Sequence, residues 1–594
     1  MREVEVAMRR ARPLVAIVAA SLLLTGCGAS LPPSVIAGSE IAIGWQGELT
    51  SVNAASREGA TAANLDVAAA TRSQFASIAN DGTLAPNRDL GEVEIVDDAP
   101  FTVRYDLADD VMWSDSVPLD AADLLLAWAA GSNALAPEGF DADAAIDDAG
   151  ELAVPEGVAW FDVADAGGLA LADGLPEVDE FARAIEVPLS ASVADWQTML
   201  DVAVPAHVVG RLALGIEDPM EAKQAVLEAI RIGDPERLAA IADAWSTGFT
   251  VSGSPDASLL VSSGPYVVDA ADEGGVTLVA NRRYAGTTPT IETVELAALS
   301  PDRLLTAVGS DVEAVEVVPT EENWEAIRDL TRDDFVMTAT QTGRIWTMQF
   351  RGDRGVLQST LARQSLLHAI PRSDVVAAAT GAWSAEMSST DSVLFPTSSD
   401  GYTISLQDSG FDDRWGSPDP EVAAVERDQA GVQAGTAVCV VYDRDEPYAV
   451  RAFQAIAAGI AESGWAVTDC GADDLDARIA EGGWDAVITQ VALPTSAAEA
   501  AAQWGTGGAA NLTGIGDAAR DEAIAASGAA TETNDVRDQL VLAETSIVAQ
   551  GVVLPLSNVV VADVVAPGIE GVQPRNGPDA RLTWQLPAWA LPEE

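Results

Sequence analysis

Between Thr436 and Val491 strand and helix signals alternate in a fixed order. A strand at Val438–Tyr442 leads to a helix carrying Phe453, Ile456 and Ile460, a strand at Trp465–Thr468, a short helix with Leu475 and Ile479, and a strand at Ala486–Val491. Strands joined through helical crossovers become parallel neighbours with right-handed connections, so this stretch commits its part of the chain to a sheet covered by helices. Cys439 and Cys470 lie in, or at the end of, successive strands of that unit. Neighbouring strands bring Cα atoms within bridging range, and closing the loop would contribute about 3 to 4 kcal/mol, which favours a disulfide; two buried thiols are the alternative.

The rest of the chain mixes strands and helices in the same manner. Glu40 to Trp45 sets Ile41, Ile43 and Trp45 on one face, and Phe101 to Leu107 alternates again before a helix that starts at Asp120, with Asp123 in its first turn. Helices follow at Pro219–Ile232 and Pro235–Trp245, strands at Val276–Asn281, Thr290–Leu296, Val312–Val318, Phe335–Thr340 and Arg344–Phe350, and a long helix at Asn534–Gln550 that stops at Gly551 before a buried strand, Val552–Val561. The fold class is α/β, and 594 residues exceed what one hydrophobic core supports, so several structural lobes are expected.

Residues 1–26 read as a secretory signal: Arg2, Arg9, Arg10 and Arg12 precede an apolar run from Leu14 to Leu24 too short to span a bilayer. Leu24-Thr25-Gly26-Cys27 has the form of a lipoprotein processing site, so Cys27 is expected to carry a diacylglyceryl thioether and to become the first residue of the mature chain. Small and polar residues over 27–38 would form a tether. The membrane would then be reached through lipid only.

The formal charge of −60, from 92 acidic and 32 basic residues, repels phosphate backbones and excludes nucleic acid as a partner. Lys223 is the sole lysine, and the two histidines, His207 and His368, read as structural. There is no G-x-S-x-G elbow, no H-E-x-x-H pair and no phosphate-binding glycine loop ahead of Lys223, so neither a cofactor nor a metal is expected. Paired carboxylates of a glycoside hydrolase remain open on sequence alone.

Three blocks carry a family resemblance. Phe101-Thr-Val-Arg-Tyr-Asp-Leu followed by Trp113-Ser114-Asp115-Ser116-Val-Pro118-Leu-Asp120-Ala-Ala-Asp123 resembles a W-S-D-G-x-P block, with Ser116 in place of Gly. Ser263-Gly264-Pro265-Tyr266, then Asn281-Arg282-Arg283-Tyr284, is similar to a G-P-Y…N-P-x-Y block, and Arg363-Gln364-Ser-Leu-Leu-His368-Ala369-Ile370-Pro371-Arg372 to V-R-Q-A-L-x-x-A-I-D-R. Together they resemble the substrate-binding lipoproteins of ABC importers of the peptide/nickel class, solute-binding protein family 5. The resemblance implies a two-lobe type II periplasmic-binding-protein fold with an inserted domain. Lobe I would comprise 36–75, 200–340 and 552–594, the inserted domain 76–199 and lobe III 341–551, with Arg344–Phe350 and Val552–Val561 crossing between lobes.

It further implies a monomer that captures a peptide or other small solute for ABC permease subunits, with Trp45, Ser51, Asn53, Trp346, Met348, Gln490, Trp504 and Gly505 as candidate ligand contacts. A nickel chelate, an oligosaccharide, or a secreted hydrolase are the alternatives. Peptide binders of this family end the equivalent of Ala486–Val491 in a W-x-x-D turn whose Asp meets the ligand's amine. Here the turn reads Gln490-Val491-Ala492-Leu493-Pro494, so blocked, long or non-peptide ligands are expected to be preferred unless Glu499 or another acid reaches the spot.

Overall fold

The computed structural model describes residues 31–137, 139–140, 142–146, 152–578 and 581–592. Cys27 and the signal segment fall outside them. Ten strands build one large mixed sheet: β1 (Ile36–Trp45), β2 (Tyr266–Asp272), β3 (Gly275–Ala280), β4 (Ile291–Ala298), β5 (Ala314–Val317), β6 (Val336–Phe350), β7 (Ala437–Val441), β8 (Ala466–Asp469), β9 (Ala486–Ala492) and β10 (Val553–Val565). Their spatial order is β8-β7-β9-β6-β10-β5-β1-β4-β3-β2. β7 pairs parallel with both β8 and β9, the parallel unit that the strand and helix order implies.

β6 and β10 are the strands that cross between the two halves of this sheet. They pair antiparallel from Val336 opposite Val565 to Gln349 opposite Val553, with register shifts between Gln341 and Ile345 and between Ile345 and Thr347. The sequence reads two strands here because the bulge interrupts the alternation; the structure joins them into one. Gly343, with φ of 72°, supplies the left-handed conformation that the irregularity needs. Pro555, which has no N–H to give, stands opposite Thr347 at the second shift, where the ladder tolerates a missing donor.

A separate four-stranded sheet (Gly91–Asp98, Phe101–Leu107, Ala184–Leu189 and Glu177–Asp179) belongs to the inserted unit. Helix α1 (Ala121–Ser132) packs against it and begins with a reciprocal cap: Asp120 Oδ1 accepts from Ala122 N, and Asp123 Oδ2 accepts from Asp120 N. Lys223 Nζ lies 2.9 Å from Asp123 and 3.1 Å from Asp120, a buried cation matched by two carboxylates. One hydrophobic core runs from Phe75 through Leu124, Trp128, Val226 and Trp245 to Phe249. The helices Ala206–Leu214, Pro219–Ile232 and Pro235–Thr247 share this core with the four-stranded sheet and α1.

His207 pairs with Asp115 at 2.7 Å, and His368 with Glu426 at 2.8 Å beside the Trp415 ring. Cys439 and Cys470 are joined, with Cα atoms 5.7 Å apart, across β7 and the end of β8. The inserted unit touches the far half of the large sheet's domain: Ser192 Oγ donates to Ala529 O, Ala194 N to Gly528 O, and Trp196 Nε1 to Thr531 O at 3.1 Å.

Candidate functional site

β9 is seven residues long, but β7 pairs only with its first two, Ala486 and Val487. On its other side β6 pairs with all seven, from Phe350 opposite Ala486 to Arg344 opposite Ala492. Residues 488–492 thus have one satisfied edge and one open edge. An open strand edge is a row of backbone donors and acceptors ready for another strand.

A cavity of about 260 Å³ lies along that edge. Its walls come from β9 (Thr489, Gln490, Val491, Ala492), β6 (Gln349), helix α2 (Leu475–Glu481: Asp476, Ile479), helix α3 (Ala497–Trp504: Gln503, Trp504) and the following loop (Ala510, Leu512). Alternate strand residues point to opposite faces, so a cavity over one face would touch every second residue. This cavity touches four in succession and therefore meets β9 edge-on. Ile479, Val491, Leu512 and the ring of Trp504 make part of the wall apolar; Gln349, Gln490 and Gln503 supply hydrogen-bonding groups.

Of the eight candidate contacts, two line this cavity: Gln490 and Trp504. Gln490 is half-buried, and its Oε1 accepts from Nε of the exposed Arg344 at 3.0 Å. Trp346, the register partner of Gln490, is buried, does not line the cavity and stacks on Tyr448 with ring centroids 4.3 Å apart. Met348 is fully buried in the core with Phe350 and Ile488, so it has no surface left for a ligand. Gly505 ends α3: its N–H donates to Ala501 O, its carbonyl accepts from Asn511 Nδ2, and it is not part of the wall.

The three candidates near β1 are reassigned to scaffold by their hydrogen bonds. Trp45 Nε1 donates to Asp66 at 2.9 Å; Ser51 Oγ donates to Phe249 O and accepts from Asn53 N; Asn53 donates from Nδ2 to Trp245 O at 2.7 Å and accepts at Oδ1 from Ala55 N. All three are buried. Their polar groups hold the loop after β1 against the inserted unit.

The acid expected to be missing is missing from its turn. Leu493 is buried and donates its N–H to Gly343 O, while the Glu499 carboxylate accepts from Thr495 N at 2.7 Å and Thr495 Oγ1 at 2.9 Å. Another acid does reach the site, from a different element: Asp476, near the start of α2, is exposed and forms part of the wall. Gln349, Asp476, Ile479, Thr489 and Gln503 were not among the candidates. The readable signal was the length mismatch between the strands at 438–442 and 486–491.

Among the described residues no helix is long and apolar enough to cross a membrane, and no three His, Cys, Asp or Glu side chains are grouped to hold a metal ion. The architecture is that of periplasmic solute-binding proteins. The periplasmic EDTA-binding protein EppA superposes with a TM-score of 0.73 at 19% identity, over 97% of this chain and 100% of that one. The oligopeptide-binding protein AppA from Bacillus subtilis, in complex with a nonapeptide, does so with a TM-score of 0.59 at 12% identity, over 93% and 99%. At such identities these two carry the fold alone.

Residues 221–511, just under half of the chain, match the family described as bacterial extracellular solute-binding proteins, family 5 Middle. An uncharacterized lipoprotein of Mycobacterium leprae (strain TN) is 28% identical over 367 residues, 61% of this chain and 58% of that protein. The matched region thus spans less than two thirds of that relative's length.

Proposed function

We propose that this solute-binding protein is anchored outside the cell through lipid on Cys27, takes up a peptide in extended form along the open edge of β9, and delivers it to the permease of an ABC importer. The observation that carries the reading is the cavity that meets residues 489–492 edge-on. An extended backbone laid there would continue the sheet and satisfy its edge, while the cavity would receive a side chain. A peptide longer than the cavity would run past it along the strand. The Mycobacterium leprae relative named as a lipoprotein and the AppA complex with a nonapeptide support the anchor and the ligand class.

A second reading, a non-peptide anionic solute, draws on Arg344, whose guanidinium is exposed next to Gln490. Calorimetry with N-acetylated pentaalanine, free pentaalanine and Fe(III)-EDTA separates the two. Binding of either peptide supports the first reading; binding of the chelate alone replaces it with the second. Membrane fractionation of Cys27→Ser tests the anchor, since a variant that stays with the membrane removes it.

A further inference from the structure

Gln349 is 4% exposed and forms part of the cavity wall, and its carboxamide has no hydrogen-bond partner among the described residues. Neither of its polar atoms is sealed in the interior, so what remains accessible opens on the cavity. Two further groups in the same wall, Gln503 Oε1 and Trp504 Nε1, are buried without partners. An unpaired polar group in a protein interior is destabilising, and the Gln349 amide is one that opens on a cavity whose remaining walls include Ile479, Val491 and Leu512, whereas the Gln503 and Trp504 atoms are sealed from it. That wall has more hydrogen-bonding capacity than the protein itself satisfies. Asp476 is the acidic residue of the lining, which includes no Lys, Arg or His.

We infer that the cavity beside β9 is a selective side-chain pocket, reading a neutral carboxamide side chain, glutamine or asparagine, of the bound peptide through the amide of Gln349. The inference rests on the peptide reading above and deepens it. A carboxamide both donates and accepts, as does the Gln349 amide that faces it, so two such groups pair reciprocally. An aliphatic side chain of similar size would fill the volume and leave Gln349 unpaired. A carboxylate side chain would enter beside Asp476 with no cation in the wall to offset it.

The test uses the full chain and N-acetylated pentaalanine peptides in which one residue, at each position in turn, is replaced by glutamine, leucine, glutamate or lysine, with affinity read by calorimetry. The expected result is one register in which glutamine binds about tenfold more tightly than leucine, with glutamate weakest, which corresponds to leaving one buried amide unpaired. Gln349→Leu should erase that preference for glutamine over leucine. Equal affinity for glutamine and leucine in every register overturns the pocket and leaves the peptide reading standing. Tightest binding of lysine overturns it in favour of recognition through Asp476. No binding by any peptide overturns both readings. Should Gln349→Leu not fold, the peptide series on the unaltered protein decides alone.

Discussion

The loop after β1 and the open edge of β9 use the same kinds of side chain to opposite ends. Around β1, Trp45, Ser51 and Asn53 are buried and every one of them has a partner inside the protein. Along β9, Gln349 and the sealed groups of Gln503 and Trp504 are buried and have none. The difference teaches how to separate scaffold from site in this chain. Residue type does not do it, since a tryptophan and an amide occur in both places; the balance of donors and acceptors does.

Unpaired groups occur on the β1 side too, among them Trp589 Nε1, Thr583 Oγ1 and one oxygen of Asp563, so the balance marks a site only where a cavity adjoins the unpaired group. Asp563, on the half of β10 that pairs with β5, is fully buried; Thr340 Oγ1 donates to its Oδ2, and its Oδ1 has no partner. Burial, reinforced by nearby Glu316 and opposed by the Thr340 hydrogen bond and Arg581, pushes its carboxyl up to about 8. Glu544, buried beneath Ser392, Val393 and Leu394, is likewise pushed up to about 7 by burial. A carboxyl whose folded value lies above its unfolded value stabilises the fold fully below the unfolded value, near 4, and loses that contribution as pH rises to the folded one. Melting temperature should therefore fall between about pH 4 and pH 8, by the equivalent of several kcal/mol. Asp563→Asn should flatten the upper part of this fall. A melting temperature unchanged over the range, or an unchanged slope in the variant, would mean that this orphan needs another explanation.

On the scaffold side, Asn53→Ala removes the partners of Trp245 O and Ala55 N and should lower stability by about 2 to 4 kcal/mol in urea unfolding, with peptide affinity of the folded protein unchanged. The reverse should hold at the edge of β9. Ala510 lies on an exposed loop and lines the cavity, so Ala510→Trp should weaken peptide binding about a hundredfold by filling it, with the melting temperature altered by no more than about 2 °C. Loss of stability without loss of binding at 510, or the opposite at 53, would dissolve the contrast between the two regions. The smallest effect belongs to Trp196→Phe, which removes the indole bond to Thr531 between the inserted unit and the opposite lobe. A weakening of peptide binding of about threefold is expected, and a tenfold gain would show that this contact opposes capture.

Much of this was legible in the chain. The order of strand and helix signals over 436–491 fixes β7, β8 and β9 as a parallel unit, and the positions of the two cysteines within it anticipate their junction. Asp120 and Asp123 announce the start of α1, and Gly551 the end of the long helix Thr533–Gln550, in the left-handed conformation. Less was legible of the site. Gln490 could be named because it stands near a strand end and Trp504 because an aromatic ring can stack on a ligand, whereas Asp476 comes from the helix that precedes β9 and reaches the cavity through tertiary packing alone. Met348 and Asn53 show the opposite failure: a residue at a strand or loop position that suits a ligand equally suits a core or an internal network, and sequence spacing does not record which hydrogen bonds close. The packing partner of the three helices over 206–247 was hidden for the same reason, since they can pack on either neighbour until Val226 and Trp245 are seen in one core with Trp128.

The central claim is that ligand lies against the open edge of β9. Hydrogen exchange followed by mass spectrometry, with and without saturating N-acetylated pentaalanine carrying glutamine, tests it most directly. The account predicts slower exchange of backbone amides within 488–492 on adding peptide, with little change over 45–56. Protection confined to 45–56, with 488–492 exchanging at the same rate in both states, would contradict it.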